Sequence, residues 1–240
     1  MGSKRGNFVE AGRIPIDDGS KELITGWTNA DNKEYAEKLP LIDLLHFLEV
    51  SGLAGDPDVI LISDYISKSQ SILEVGGGFG RVIKACQKLG YSRKLTTIEY
   101  ARSYANYLNE HIKNCKIIDG DFLIHSFNES FDLILIMWTT ISIFSPNEQS
   151  MCLKKCADLL MDHGYAVIDL LVTNNSTATK ETNKKEYCLK DKKIGANRYA
   201  YMPSTFEIIK AAAIAGLAVR QVKEYISGTA IRCLVILGKS

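Results

Sequence analysis

Residues 71–81 read Ser71-Ile72-Leu73-Glu74-Val75-Gly76-Gly77-Gly78-Phe79-Gly80-Arg81. An apolar strand with an acid near its carboxyl end runs into a glycine-crowded turn, and the turn opens straight into an amphipathic helix carrying Val82, Ile83, Cys86 and Leu89 on one side. Glycines accept positive φ and let a ligand approach the backbone, so this is a cofactor-binding turn. Glu74 narrows the ligand. A carboxylate two residues before the first glycine repels a pyrophosphate and suits an ammonium or a sulfonium. The dinucleotide pattern G-x-G-x-x-G/A also fails here, because Arg81 stands where a small residue is required.

Working outward, short apolar runs alternate with helical patterns. Strands are expected at Ile72–Val75, Lys94–Glu99, Cys115–Asp119, Phe131–Met137 and Tyr165–Leu171. The helix before the fifth strand has a legible start, with Ser145 as N-cap, Pro146 at N1 and Glu148 completing a capping box, and Gly164 is read as its end. Ser204 and Glu207 form a second capping box, and Gly216 closes that helix. Two last strands, Leu217–Ile226 and Thr229–Gly238, are joined too tightly to be anything but antiparallel. The expected fold is therefore α/β: a Rossmann-like, doubly wound, seven-stranded sheet, mostly parallel, with a terminal antiparallel hairpin.

Ahead of the first strand, residues 1–30 read as a loose leader. Leu41, Ile42, Leu44, Leu45 and Leu48 form an apolar helical face, and Asp56-Pro57 reads as N-cap and N1 of a helix running through Ile60 and Ile66. Residues 1–70 are expected to be a leader and helices able to act as a lid. Residues 71–240 are expected to be the cofactor-binding domain, with an insertion at 172–203 covering the substrate. Within it, Thr173–Lys185 reads as a loop, and Glu186–Lys190 with Asn197–Met202 as a hairpin.

The chain has 240 residues with 29 basic and 28 acidic side chains, net charge +1, so no global field draws it to nucleic acid or an anionic membrane. The longest apolar run, Leu133 to Phe144, is interrupted by Thr139, Thr140 and Ser142 and is too short to span a bilayer. No secretory signal is read at the start, and the six scattered cysteines read as reduced core residues, which together point to the cytoplasm. Cys152 and Cys156 share a helix face, but no further ligands complete a metal set, and none is expected. Nothing in the sequence specifies an oligomeric state.

Ligands of open α/β sheets sit beyond the carboxyl ends of the strands, which here carry Glu74, Glu99, Asp121 and Trp138. Glu99 follows Gly76 at about the distance at which an acid accepts from both ribose hydroxyls. Tyr100 is placed to lie against an adenine face and Asp121 to accept from its amino group. Trp138 leaves the fourth strand either where its π face can meet a cation or as a bulky plug of the core.

Ile72-Leu73-Glu74-Val75-Gly76-Gly77-Gly78-Phe79-Gly80, Thr97-Ile98-Glu99, Gly120-Asp121-Phe122, Phe131-Asp132-Leu133-Ile134-Leu135 and the Leu160-to-Tyr165 turn together resemble the class I S-adenosylmethionine-dependent methyltransferases, over about Ile72–Gly238. The resemblance implies S-adenosylmethionine as cofactor. It places the methionine portion on Glu74, Gly76, Gly77, Gly78 and Gly80, the ribose on Glu99, and the adenine on Asp121 and Phe122. Asp162-His163-Gly164 departs from the family's frequent Pro-Gly-Gly. Methyl transfer needs alignment, worth roughly 7–11 kcal/mol, more than a covalent catalyst. A general base is needed only if the acceptor must lose a proton; Asp169, His125, Tyr35 and Tyr201 are the candidates, and no motif selects among them.

The expected acceptor is a small molecule, methylated on oxygen or nitrogen. Between Lys180 and Arg198 seven basic residues face three acidic ones, so either the acceptor is anionic or this is a solvated lysine-rich loop. An RNA or protein methyltransferase on the same fold is the alternative, although no basic stripe with interleaved aromatics is present. An aminopropyltransferase would need acids after the fourth strand, where Met137-Trp138-Thr139-Thr140 has none. A non-catalytic cofactor-binding protein is the remaining reading.

Overall fold

The computed structural model describes residues 21–23, 29–172 and 186–240. The predicted loop at 173–185 and most of the predicted leader lie outside them. In chain order the elements are β1 (Lys21–Leu23), α1 (Asn29–Lys38), α2 (Leu41–Val50), α3 (Pro57–Leu61), α4 (Ser63–Lys68), β2 (Ser71–Val75), α5 (Arg81–Lys88), β3 (Lys94–Glu99), α6 (Arg102–His111), β4 (Lys116–Asp119), β5 (Phe131–Ile136), α7 (Pro146–Leu159), β6 (Leu160–Val172), β7 (Glu186–Asp191), β8 (Ala196–Tyr201), α8 (Thr205–Ile214), β9 (Leu217–Ser227) and β10 (Ala230–Lys239). A short 3-10 turn, Thr140–Ile143, follows β5.

Seven strands form one sheet in the order β4-β3-β2-β5-β6-β10-β9, and β10 runs antiparallel to both its neighbours. The other contacts in this sheet are parallel. The doubly wound sheet with its terminal hairpin is thus as the alternation implied. One apolar layer, built on Leu73, Ile98, Ile134, Ile168 and Val235, packs under α7 and α8. The opposite layer, built on Ile72, Leu95, Leu135, Val167 and Leu234, packs under α3 to α6. Parallel strands buried on both faces explain the near-continuous apolar runs.

Both predicted capping boxes are closed. The hydroxyls of Ser145 and Ser204 accept from the backbone of Glu148 and Glu207, and those glutamates accept back from the serine N–H groups at 2.9 and 2.7 Å. The hairpin β7–β8 forms, and β1 joins it as a third antiparallel strand.

Four local expectations are corrected. Residues 29–38, read as the end of a leader and a gap, form α1, a helix too polar to show a period. The helix expected through Ile60 and Ile66 is broken at Ile62, φ −110°, into α3 and α4. Asp56 precedes Pro57 as expected, but with φ 55° it makes no cap and turns its carboxylate to Arg81 and Lys88. Gly164 does not end α7: the helix stops at Leu159, and Gly164 lies in β6, where a side chain would meet the Phe131 carbonyl at 2.9 Å. The apolar helix α2 forms as expected, yet none of its residues is fully buried.

Candidate functional site

The turn after β2 is held from behind. Gly76 N–H donates to the Ile98 carbonyl (2.9 Å), Gly78 N–H to Glu99 Oε2 (2.8 Å) and Gly80 N–H to the Gly77 carbonyl (2.8 Å). Gly76 (φ 78°) is pressed by Thr140, whose Cγ2 would lie 2.7 Å from an added Cβ. Gly78 (φ 53°) is different: nothing lies within 4 Å of where a Cβ would stand, so its backbone faces open space. That is the arrangement a close-approaching ligand requires.

In front of the turn lies a cavity of about 240 Å3. Val75, Gly76 and Ile98 form its floor, Tyr100, Asp121 and Phe122 one wall, and Thr140, Ile143 and Phe144 the other. Asn32 and Lys33 of α1 also line it. A larger cavity, about 360 Å3, opens at the amino end of the sheet around Ser63, Tyr91 and Arg93 and contains no residue of the glycine turn.

Glu74 and Glu99 stand just behind the cavity, each 3% exposed. Glu74 receives one long hydrogen bond, from Thr97 Oγ1 at 3.4 Å, and forms no ion pair within 4 Å among the described residues. Burial pushes its pKa up to about 8; nearby Arg81 works against the shift and Glu99 with it. Arg81 itself is buried and forked onto Asp58 (2.8 and 2.5 Å), with its Nε hydrogen unsatisfied. Glu99 Oε1 accepts from Ala101 N–H and Oε2 from Gly78 N–H, both at 2.8 Å, so it props the turn while each oxygen keeps a second acceptor site. Its pKa is raised by burial against these backbone bonds.

Asp121 Oδ1 caps the Leu123 N–H at 2.8 Å, and Phe122 is buried beneath the cavity wall. Tyr100 is half-buried in the same wall, its pKa raised by burial and by Glu99. Trp138 packs edge-on against Phe79, with ring centres 6.2 Å apart. It and Thr139 both take positive φ, 49° and 58°. Two consecutive side-chain-bearing residues in that region store strain where β5 leaves the sheet beside the glycine turn.

The base candidates are dispersed. Asp169 is fully buried, with Oδ2 2.6 Å from Arg232 Nη2 and Oδ1 accepting from the Tyr225 hydroxyl at 3.0 Å. Burial opposes the Arg232 charge, but Asp169 and Tyr225 together raise the guanidinium pKa. His125 lies in the loop below Asp121, its ring against Phe127. Tyr201 donates to Glu207 at 2.9 Å, and burial together with that bond pushes its pKa up to about 12. Tyr35 is buried on α1 with the Arg198 guanidinium 5.7 Å from its ring centre; burial raises its pKa against Arg198. Tyrosines held neutral in this way do not accept a proton at neutral pH.

The part that sequence reasoning missed is α1. Asn32 donates to the Ile143 carbonyl (3.0 Å) and accepts from Tyr199 N–H (2.7 Å), tying the helix to both the post-β5 turn and the hairpin. At its other end the Glu37 carboxylate accepts from the Arg102 and Ser103 N–H groups that open α6. The signal available was the isolated Tyr35 among polar residues, too little to show a helix. Among the described residues no group of three His, Cys, Asp or Glu side chains could hold a metal, and no helix is long and apolar enough to cross a membrane.

Residues 72–164 match a family model described as a methyltransferase domain. Among solved structures, the chain is similar to the glycopeptide N-methyltransferase MtfA complexed with sinefungin, at TM-score 0.64 and 14% identity over 85% of this chain and 98% of that one. It is similar to SAM-bound CalS10, an amino pentose methyltransferase from Micromonospora echinaspora, at TM-score 0.61 and 14% identity over 82% and 98%. The CcbJ methyltransferase from Streptomyces caelestis covers 90% of this chain and 94% of its own, at TM-score 0.58 and 14% identity. No curated protein matches the chain. The chain has the fold of the class I methyltransferases, and the domain match spans the glycine turn and the ends of β2, β3, β4 and β5.

Proposed function

We propose that this chain, a class I methyltransferase in fold, is an S-adenosylmethionine-dependent enzyme that methylates an oxygen or nitrogen of a small-molecule acceptor such as a metabolite, a sugar or a natural product. The observation that carries the reading is Glu74, a buried carboxylate without an ion-pair partner among the described residues, set behind a glycine turn whose Gly78 faces open space. An ammonium or sulfonium supplies the cation that Glu74 lacks, whereas a pyrophosphate would add charge of the same sign.

The residues divide the cofactor between them. Gly76 to Gly80 and Glu74 hold the methionine end. Glu99 keeps acceptor capacity for the ribose hydroxyls, and Tyr100, Asp121 and Phe122 wall the space for the base. When bound, the cofactor supplies an electrophilic methyl group on sulfur. The chain's task is to exclude water and align an acceptor, with Trp138 packed against Phe79 of the turn. The neighbours' named acceptors, a glycopeptide and an amino pentose, support a small-molecule acceptor here. Helix α1 with the hairpin β7–β8 fits the role of cover, since Asn32 lines the cavity and ties α1 to Ile143 and to Tyr199 of the hairpin, whereas α3 and α4 pack into the core.

S-adenosylhomocysteine at a hundred times its dissociation constant is expected to stabilise the chain by about 2.7 kcal/mol, with NAD having no effect. A melting midpoint unmoved by S-adenosylhomocysteine and raised by NAD overturns the reading.

A further inference from the structure

Lys155 stands on α7, behind the loop that carries Asp121 and Phe122 and away from the glycine turn. Its ammonium donates to the backbone carbonyls of Leu123 (3.1 Å) and His125 (2.5 Å). The same nitrogen lies 5.4 Å from the Phe122 ring centre and 5.6 Å from that of Phe127. The loop is a tight turn in its own right. The Asp121 carbonyl accepts from His125 N–H at 2.9 Å and the Asp121 side chain from Leu123 N–H at 2.8 Å. One cation therefore gathers two carbonyls and two rings of a segment only a few residues long. An ammonium has three donors, and no neutral aliphatic side chain could satisfy those two carbonyls together.

We propose that Lys155 is a positioning residue for cofactor affinity: by drawing the Leu123 and His125 carbonyls and the Phe122 ring onto α7, it sets the Asp121–Phe122 wall where the base of the cofactor is received. This rests on the methyltransferase reading above. Lys155 is not among the residues lining the cavity, so its effect passes through the loop, and it falls on every ligand that carries the adenosine moiety. Charge is part of the device. The ammonium faces the ring quadrupoles of Phe122 and Phe127; burial lowers its pKa, and the nearby Asp121 carboxylate works against that shift.

The test is calorimetric titration of the full chain with S-adenosylhomocysteine and, separately, with adenosine, for wild type, K155M and K155R. K155M is expected to weaken both ligands by a similar factor, about tenfold, the size of one charge-assisted hydrogen-bond arrangement. K155R keeps the charge and the donors and is expected to recover most of the loss. K155M binding both ligands as tightly as wild type overturns the proposal, as does a loss confined to S-adenosylhomocysteine with adenosine unaffected. So does an equal loss in K155R and K155M accompanied by an equal fall in the ligand-free melting midpoint, which marks a general packing role. Should K155M fail to fold, K155Q carries the same comparison. Wild type binding neither ligand overturns the methyltransferase reading along with this one; wild-type binding with K155M unchanged overturns only the role of Lys155.

Discussion

Glu74 and Asp169 lie on the same face of the central sheet, on β2 and β6 with only β5 between them, and Asp169 sits two residues nearer the carboxyl edge in register. Both are buried, yet their surroundings are opposite. Asp169 is gripped by Arg232 and Tyr225 from β10 and β9. Glu74 has a single 3.4 Å contact and a pKa pushed up to about 8 by burial. A buried acid held by an arginine already has its counter-charge, whereas a buried acid without a cation is costly to ionise until a cation arrives. The difference separates the half of the sheet that holds the structure together from the half poised for a ligand. Glu99 stands between these extremes, tied to two N–H groups but with acceptor sites left over.

The largest effect should come from breaking the paired side. Arg232→Met strands Asp169 without its partner and is expected to cost about 3–5 kcal/mol of stability in urea denaturation. S-adenosylhomocysteine affinity of the folded fraction should stay within about threefold of wild type; a hundredfold loss would mean that the Asp169 cluster belongs to the binding site.

Glu99→Ala tests the intermediate case. It removes the ribose acceptor and leaves the Gly78 and Ala101 N–H groups without theirs, so S-adenosylhomocysteine should bind roughly a hundredfold more weakly, a difference of about 2–3 kcal/mol, with a smaller loss of stability. Unchanged affinity by titration calorimetry would put the ribose elsewhere.

Glu74→Gln sharpens the comparison through pH. In the free protein the Glu74 carboxyl keeps its proton up to about pH 8, while in the unfolded chain it loses it near 4.5. The folded value is the higher one, so its contribution to stability is complete below pH 4.5 and is lost as pH rises through 8. The glutamine variant should flatten that decline. Ligand binding runs the other way: a cationic ligand selects the carboxylate, so wild-type affinity should climb by up to about tenfold per pH unit on approaching 8, then level. A variant that binds S-adenosylhomocysteine as tightly as wild type at pH 8, with an unaltered pH profile, would remove Glu74 from the site.

Most of the sheet was legible because its signals are local. The apolar runs at Ile72, Leu133 and Tyr165 and the capping boxes at Ser145 and Ser204 act within a few residues, and each formed where expected. The failures share a cause. Asp56 looked like a cap, but Arg81, twenty-five positions away in sequence, competes for its carboxylate and wins. Gly164 looked like a helix end, but the neighbouring strand β5 extends β6 back to Leu160 through the pairing of Phe131 with Leu160. Helix α1 carries no apolar stripe, because the contacts that place it are polar: Asn32 to Ile143 and Tyr199, and Glu37 to the start of α6.

The same division runs through the site. The amino-acid sequence alone determined which groups meet along the carboxyl edge, Glu74, Glu99, Asp121 and Trp138, since a parallel sheet must present its strand ends together, while the sheet order sets them side by side as Asp121, Glu99, Glu74 and Trp138. It also determined that the turn between Glu74 and Arg81 must be mostly glycine. Tertiary structure alone decided which buried acids are paired, because pairing depends on side chains that converge from β9, β10, α3 and α5. Asp169 and Glu74 carry the same carboxylate in strands of similar pattern; only packing decided that Asp169 meets an arginine and that Glu74 does not.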